Sequence, residues 1–237
     1  MINIDKILGQ ILNSSQGKTL AGGLLVGGLA GALTGKAGQK MASTALKLGG
    51  AAAVAGLAYS AYQRYRATQP QGTSPAGTMH GQASSMPSPQ QGLNHRGDDI
   101  VDSLPPQNTG YLPSTADTAA TEALSLKLIR AMIGAAKADG RIDAAESNKI
   151  FGQIEGLGLA PEEKAFLLTE IGKSSTAQEI AASAHNAEEA AEIYAISVMA
   201  VNPHGPAERG YLAELARGLR LDPGLAQAIH ERTTQAT

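Results

Sequence analysis

Three carboxylates lie close together in the segment ADGRIDAAE, and carboxylate oxygens are the ligands that calcium and similar hard cations prefer. They belong to Asp139, Asp143 and Glu146. Their spacing matches the second half of an EF-hand loop, in which Asp-Gly precedes an aliphatic residue, an oxygen ligand and a final Glu. The first half is missing, because Ala135 and Lys137 stand at the first and third ligand positions. An intact EF-hand is therefore excluded.

Two interpretations of this turn stay open. In the first, the three acids hold a divalent cation of the calcium type, and Glu208 from a later turn completes the site. In the second, the turn is structural: Gly140 ends one helix in the left-handed conformation, and Asp143 begins the next with Glu146 reaching back to it. The structural interpretation accounts for every residue of the turn except Asp139.

No other pattern in the chain indicates an enzyme. The absence of cysteine excludes disulfides, thiolate nucleophiles and cysteine-bound zinc. The nucleophile-elbow and metalloprotease motifs are absent, and residues 17–19 (GKT) lack the strand and the earlier glycine of a phosphate-binding loop. A net charge of −2 argues against a nucleic-acid partner. We expect a non-enzymatic protein without a small-molecule substrate, and a hydrolase with an unusual His–carboxylate site is the remaining enzymatic alternative.

The run TLAGGLLVGGLAGALTG, residues 19–35, is uncharged, and its glycines recur at every fourth position. They are Gly23, Gly27, Gly31 and Gly35. Because four residues are close to one helical turn, these glycines fall near one helix face. Glycine costs a helix in water roughly 1 kcal/mol per position, whereas small-residue stripes let membrane helices pack closely. The run therefore predicts association with a membrane or self-association through the glycine face.

A second uncharged run, residues 48–62, follows a basic stretch and ends among tyrosines and arginines. Both runs are shorter than the roughly 20 apolar residues that a bilayer span requires. One or two thin spans, a re-entrant hairpin, and a water-soluble glycine-rich hairpin that oligomerises all remain open. Before the first run, apolar residues at helical spacing predict a short amphipathic helix: Ile4, Ile7, Leu8, Ile11 and Leu12.

Composition divides the chain into three regions. Residues 1–66 form the glycine-zipper-like membrane-associating segment. Residues 67–117 are rich in Pro, Gly, Ser and Gln and poor in large apolar residues, which predicts a flexible, disordered linker. Residues 118–237 have helical periodicity throughout, and β-branched or aromatic residues nowhere alternate as in a strand. The predicted fold class is all-α, with a compact seven-helix domain preceded by a glycine-rich helical hairpin and the linker.

Helix starts are well marked in residues 118–237. The first two helices are predicted at about 119–138 and 144–157. Pro161, Pro206 and Pro223 suit the first position of a helix, whereas two pairs have capping-box spacing: Thr176 with Glu179, and Asn186 with Glu189. Residues 146–161 also align without gaps on residues 208–223, which suggests two related helix–turn–helix units.

Three segments carry a resemblance to a known family: LKLIRAMIGAAKADGRIDAAE, GLGLAPEE and AEIYAISVMAVNPHGPAERGYLAELARGLRLD. In this order they resemble the YebE-like inner-membrane proteins of unknown function, whose C-terminal half is similar to the tellurite-resistance TerB domain. The resemblance implies an all-helical TerB-like fold of about seven helices and no established activity. It also implies metal binding by acidic residues, carried over onto Asp139, Asp143 and Glu146, with Glu208 less certain.

These observations lead to two expected functions. The first is a non-enzymatic, membrane-anchored protein whose TerB-like domain binds a protein partner or a divalent cation, in an envelope or metal/oxyanion stress response. The second is an oligomeric glycine-zipper protein, structural or pore-like, with a regulatory helical domain. The expected location is the bacterial inner membrane, and a cytoplasmic protein that associates peripherally with the membrane is the alternative.

Overall fold

A computed structural model describes residues 2–13, 50–68, 105, 110–114, 116–138, 152, 154–155, 157–173, 175–201 and 205–235. The described residues form eight helices and no strand, which confirms the all-α prediction. We number them α1 (Ile4–Asn13), α2 (Gly50–Thr68), α3 (Thr118–Ala136), α4 (Pro161–Gly172), α5 (Ala177–Ala182), α6 (Ala187–Ala200), α7 (Pro206–Gly218) and α8 (Pro223–Gln235). Three of them begin at the predicted prolines, and α3 falls close to its predicted bounds. Residues 154 and 155 are also helical, and most of the predicted second helix lies outside the described residues.

Side-chain caps set the starts of α5 and α6 as predicted. Thr176 accepts a hydrogen bond from the Glu179 backbone N–H, and the Glu179 carboxylate accepts one from the Thr176 backbone N–H, which completes a capping box. Asn186 accepts from the Glu189 N–H at 2.7 Å. The Glu189 carboxylate reaches one residue further back than a capping box requires and accepts from the His185 N–H at 2.9 Å. Local sequence therefore determines where these helices begin.

Helix α6 lies at the centre of the fold. All of its residues from 190 to 200 are buried, and α2, α3, α5, α7 and α8 pack around it. A helix that is apolar on all sides must be covered on all sides. Since α3, α7 and α8 belong to residues 118–237 and α2 does not, the core includes chain from both sides of the predicted linker.

The amphipathic helix predicted before the glycine-rich run is confirmed as α1. Ile7, Leu8, Ile11 and Leu12 are at most 4% exposed and pack in the same core as the later helices. Helix α1 packs mainly on α2 and α3. The described beginning of the 1–66 region is therefore built into the helical core.

The described part of the second uncharged run, residues 50–62, forms about the first two-thirds of α2. Between residues 50 and 61, every residue except Tyr59 is buried, and the helix packs on α1, α3, α6 and α8. Other helices of this chain therefore cover its apolar surface. Among the described residues, none of the helices combines the length and apolar character that a bilayer span needs.

Residues 110–114 lie at the end of the region that the sequence analysis assigned to the linker. Tyr111 is only 5% exposed. Its ring makes an edge-on contact with Tyr59, with centroids 5.5 Å apart, and a tilted contact with Tyr62 at 6.2 Å. The sequence does not indicate this contact, because a single tyrosine among prolines and serines has no periodicity.

The structure agrees with the internal repeat. Gly158 and Arg220 occupy equivalent positions in the aligned segments, and both have positive φ angles, 65° and 55°. Each turn is followed by a helix that begins at an equivalent proline, Pro161 or Pro223. Two related units are expected to share a left-handed backbone conformation at the equivalent turn position and a helix that begins at the equivalent proline.

Replacement of Gly158 by alanine tests the left-handed turn. The new methyl group meets no atom within 4 Å, so only the backbone conformation opposes it. We expect Gly158→Ala to destabilise the protein by about 1 kcal/mol, measured by thermal or chemical denaturation. Gly172→Ala is the matched control, since its methyl group is also unobstructed and its φ is not positive. Equal effects of the two substitutions would contradict the assignment.

Candidate functional site

The structure describes one of the four predicted metal ligands. Asp139, Asp143 and Glu146 lie outside the described residues, whereas Glu208 lies in the first turn of α7. Its carboxylate turns back onto Gly205, where a Cβ atom would lie 1.7 Å from Oε2. An acid is favourable there because the amino end of a helix carries partial positive charge. Helix initiation thus accounts for Glu208, and its metal-binding role stays a prediction.

No group of three or more His, Asp or Glu side chains within the described ranges is arranged to hold a metal ion. Of the four acids that the sequence suggests as ligands, the structure therefore describes only Glu208, which already has a structural role at a helix start. Carboxylates are suitable ligands for calcium, so the residue types of the proposed site fit that ion. The other three acids lie outside the described residues.

The four glycines of the predicted packing stripe, Gly23, Gly27, Gly31 and Gly35, also lie outside the described residues. The structure does describe the two helices that flank them. Helices α1 and α2 meet closely enough that a Cβ atom on Gly50 would lie 2.5 Å from the backbone nitrogen of Gly9. Gly50, the first described residue after the 14–49 segment, thus lies beside α1, about one helical turn from the end of that helix at Asn13.

Asp5 joins three helices at this point. Its Oδ1 accepts hydrogen bonds from the Ala51 backbone N–H and from the Ser125 hydroxyl, both at 3.0 Å. Ala51 lies in the first turn of α2, so the carboxylate satisfies an amide that the helix itself leaves unpaired. Ser125 is fully buried in α3. The base of the 14–49 segment is therefore fixed by directed polar contacts as well as by apolar packing.

A second polar contact fixes α1 to α4. The Lys6 ammonium donates to both oxygens of Glu163 at 3.1 Å, and Glu163 Oε2 also accepts from the Ala160 N–H. Burial raises the pKa of Glu163, but the hydrogen bonds from Ala160 and Lys6 outweigh burial, so the pKa is lowered overall. The carboxylate is thus held in its charged form at the start of α4.

A pocket of about 480 Å³ lies between α3, α5 and the connection before α5. Lys127, Arg130 and Lys173 line it, yet each is paired with an acid: Lys127 with Glu189, and the other two with Glu170. Burial raises the pKa of Glu170, but Arg130 and Lys173 outweigh it and lower the pKa. Because these cations are neutralised in place, the pocket offers mixed polarity rather than positive charge.

One histidine lies beside a carboxylate, as the hydrolase alternative requires. His185 Nδ1 is 3.3 Å from Glu189 Oε2 and 2.7 Å from the Lys127 ammonium. The His185 side chain is 76% exposed, so solvent surrounds it. A general base acts on a substrate that is held within hydrogen-bonding distance, and the exposed position of His185 does not provide a pocket that would hold a substrate. The arrangement ties the α6 start to α3.

Within the part of the chain that the structure describes, two buried polar groups have no hydrogen-bond partner: the Glu192 carboxylate, which sequence reasoning missed, and the Tyr211 hydroxyl. Glu192 is fully buried. The available signal was its position in AEEAAEIYAISVMA, one turn after Glu188 and on the face that continues with Ile196. An acid on a helix face that continues into the core is expected to be buried and to have a hydrogen-bond partner.

Comparison with known proteins gives one match. The family described as "Protein of unknown function (DUF533)" matches residues 19–233, which is most of the chain. The comparisons with curated proteins and with solved structures gave no match. The family match includes the glycine-rich run, the linker and the helices α2 to α7 as one sequence unit.

The junction at Asp5 is testable by a double-mutant cycle with Ser125. Asp5→Ala leaves the Ala51 amide and the Ser125 hydroxyl without their acceptor, so we expect a loss of about 1–3 kcal/mol in unfolding free energy. Ser125→Ala should cost less, and the double variant should cost less than the sum of the two, as contacting residues do. Additive losses would show that the two side chains do not interact.

Calcium titration tests the acidic turn. If Asp139 and Glu146 bind the ion, millimolar calcium should raise the melting temperature of the full chain, because a ligand that binds the folded state stabilises it. Asp139→Asn combined with Glu146→Gln should abolish the rise. Glu162→Gln, at an exposed position of α4, is the control that should retain it. No rise in the unsubstituted protein would remove the metal hypothesis.

Proposed function

Because the chain belongs to the DUF533 family, whose function is unknown, we propose its function from its geometry: it is a non-enzymatic, membrane-associated scaffold. Its helical core holds a glycine-rich segment by both ends and presents that segment to lipid. The remaining helical surface binds a protein partner. The site of membrane contact is residues 19–35, and the base that orients it is the α1–α2 junction.

One observation carries this proposal, the closeness of α1 and α2 at the two ends of residues 14–49. Gly50 lies against Gly9, and Asp5 accepts from Ala51. A segment of this length with adjacent ends can extend outward and return as a hairpin. Its uncharged run has the four-residue glycine spacing that favours close helix packing in lipid, and the rigid base sets its direction.

The use of α2 in the core narrows the membrane alternatives. Residues 50–61 are covered by other helices of the chain, so their apolar surface is not available to lipid in this fold. Of the two apolar uncharged runs, the 19–35 run then remains, and it is shorter than the roughly 20 residues of a full span. These facts favour a re-entrant or interfacial hairpin over two full spans.

The finer assignments rest on sequence resemblance. A TerB-like identity for residues 118–237 is supported by the order of the acidic turn, the GLGLAPEE segment and the final helices, and by their all-helical packing. A role in an envelope or metal/oxyanion stress response follows from that resemblance alone. The bacterial inner membrane is the proposed location, with peripheral attachment of a cytoplasmic protein as the alternative.

Vesicle flotation of the full chain tests the proposal. Vesicles of phosphatidylethanolamine and phosphatidylglycerol in equal parts should carry the protein to the top of a density gradient. Leu29→Lys, in the middle of the uncharged run, should reduce flotation strongly, because a lysine at the centre of a lipid-inserted helix costs about 3 kcal/mol. Leu93→Lys makes the same chemical change in the linker and should leave flotation unchanged.

Two results would overturn the membrane role: retention of the unsubstituted chain at the bottom of the gradient, or equal flotation of the Leu29 and Leu93 variants. Carbonate washing of the floated vesicles separates the two proposed modes. Resistance to the wash indicates a lipid-inserted hairpin, whereas release indicates peripheral attachment. Loss of crosslinked oligomers in Gly27→Leu, with flotation retained, would favour the glycine-zipper alternative for the same segment.

A further inference from the structure

Residues 110–114, which we call the strap, lie across the second half of α2 and the first turn of α6. Tyr111 inserts its ring beside Tyr59 and Tyr62 of α2, and Gly110 lies directly on Glu188 of α6, where a Cβ atom would be 2.8 Å from Oε2. The strap is tied at its far end, since the Asp117 N–H donates to the Ser114 carbonyl at 2.8 Å where α3 begins. The carboxyl end of the strap is therefore fixed by a turn at the start of α3.

Glu192 lies one turn after Glu188 on α6 and is fully buried. Neither of its carboxyl oxygens has a hydrogen-bond partner among the described residues. A buried carboxylate without a partner is costly, whereas the protonated acid is far less so. Burial raises the pKa of Tyr111, and the charges of Glu188 and Glu192 raise it further, so the Glu192 carboxyl group lies within electrostatic range of the strap.

Among the described residues, Lys127 is the cation that acts on Glu192, and its effect is smaller than that of burial. The groups that act on it electrostatically are Glu188 and Glu189 on its own helix and Lys127 on α3. The Lys127 ammonium is already paired with Glu189 at 2.8 Å. On α8, the buried Arg232 donates to Ser60 of α2 at 3.3 Å, and the strap contributes the neutral Tyr111.

We infer that the strap is controlled by a proton: it is seated while the buried Glu192 is protonated, and it lifts when Glu192 loses that proton and must be hydrated. Lifting exposes the edge of α2 that carries Tyr59 and Tyr62, which the strap otherwise covers. This inference rests on α2, α6 and residues 110–114, and it is independent of the membrane role.

The direction of the pH dependence follows from the buried state. Burial raises the pKa of Glu192 well above its ordinary value, and the nearby Glu189 and Glu188 raise it further. The seated form therefore binds the proton more tightly than the lifted form. Seating is fully favoured below the ordinary glutamic acid pKa and is lost as the pH rises through the raised pKa of the seated form.

Tryptophan fluorescence gives a direct test, because the chain has no tryptophan of its own. In the full chain with Leu112→Trp, emission should move to longer wavelength between about pH 5 and about pH 9, while circular dichroism shows that the helices persist. Adding Glu192→Gln should remove the shift, because glutamine does not titrate. Exposed Glu162→Gln is the matched control and should keep it.

Glu188→Gln distinguishes the two acids beneath the strap. It removes one negative neighbour, so the pKa of Glu192 falls and the fluorescence midpoint should move to lower pH with the shift retained. Loss of the shift in this variant would assign the switch to Glu188 and overturn the inference. Equal shifts with and without Glu192→Gln, no shift at all, or helix loss at the same pH would overturn it too.

Limited proteolysis provides a second measurement that needs no tryptophan substitution. Chymotrypsin cleaves after Tyr111 only when that residue is accessible, and cleavage there is identified by mass spectrometry. The cleavage rate of the natural sequence relative to Glu192→Gln at the same pH cancels the protease's own pH response. We expect a ratio near one at about pH 5 and a several-fold higher ratio at about pH 9. A ratio that stays at one would refute proton control.

Discussion

The burial of α6 on every side is the constraint on which the rest of the fold depends. Eleven consecutive residues of this helix, 190–200, are buried, so its neighbours must form a closed ring. Helices α3, α7 and α8 supply part of that ring, and α2 supplies another part. Removing α2 would expose apolar surface of α6 to water, at a cost of roughly 25 cal/mol for each Å² uncovered. The chain before the linker is therefore a structural part of the core.

Small side chains make this arrangement possible. The buried part of α2 is mostly alanine and glycine, which let helix axes approach closely, but each alanine buries little area. Hydrogen bonds supplement the apolar packing where these small residues bring helix backbones close together. Asp5 bridges the start of α2 and the middle of α3, and Arg232 reaches Ser60 from α8.

The sequence was informative where structure is determined within four residues. The prolines that begin α4, α7 and α8, and the caps Thr176 and Asn186, could all be recognised because a helix start needs only a local donor or a fixed φ. The periodicity of α1 was equally clear. The all-α class followed from these local signals, and the structure agrees with it.

What the sequence could not supply was the environment of each apolar surface. The run LGGAAAVAGLAYSAY suits the interior of a protein as well as lipid, because alanine and glycine satisfy both; only the contacts of α2 decide between them. Tyr111 and Glu192 were missed for the same reason, since their burial results from helices far apart in the chain. For the candidate metal site, Glu208 was recognisable as an acid, but its position against Gly205 depends on a local turn that spacing alone does not specify.

Helix α2 connects the two regions to which we assign functions. Its first turn is held by Asp5 at the base of the glycine-rich segment, and its second half carries Tyr59 and Tyr62, which hold the strap. Tyr59 and Tyr62 lie 8 and 11 residues after Ala51, which is about 12–17 Å along the helix axis. A helix transmits a displacement along its axis with little bending, so any effect of strap release on residues 14–49 must move α2 against α6. That movement would disturb the packing of α2 in the core, and communication between the two regions thus requires two distinct packings of α2 rather than gradual adjustment.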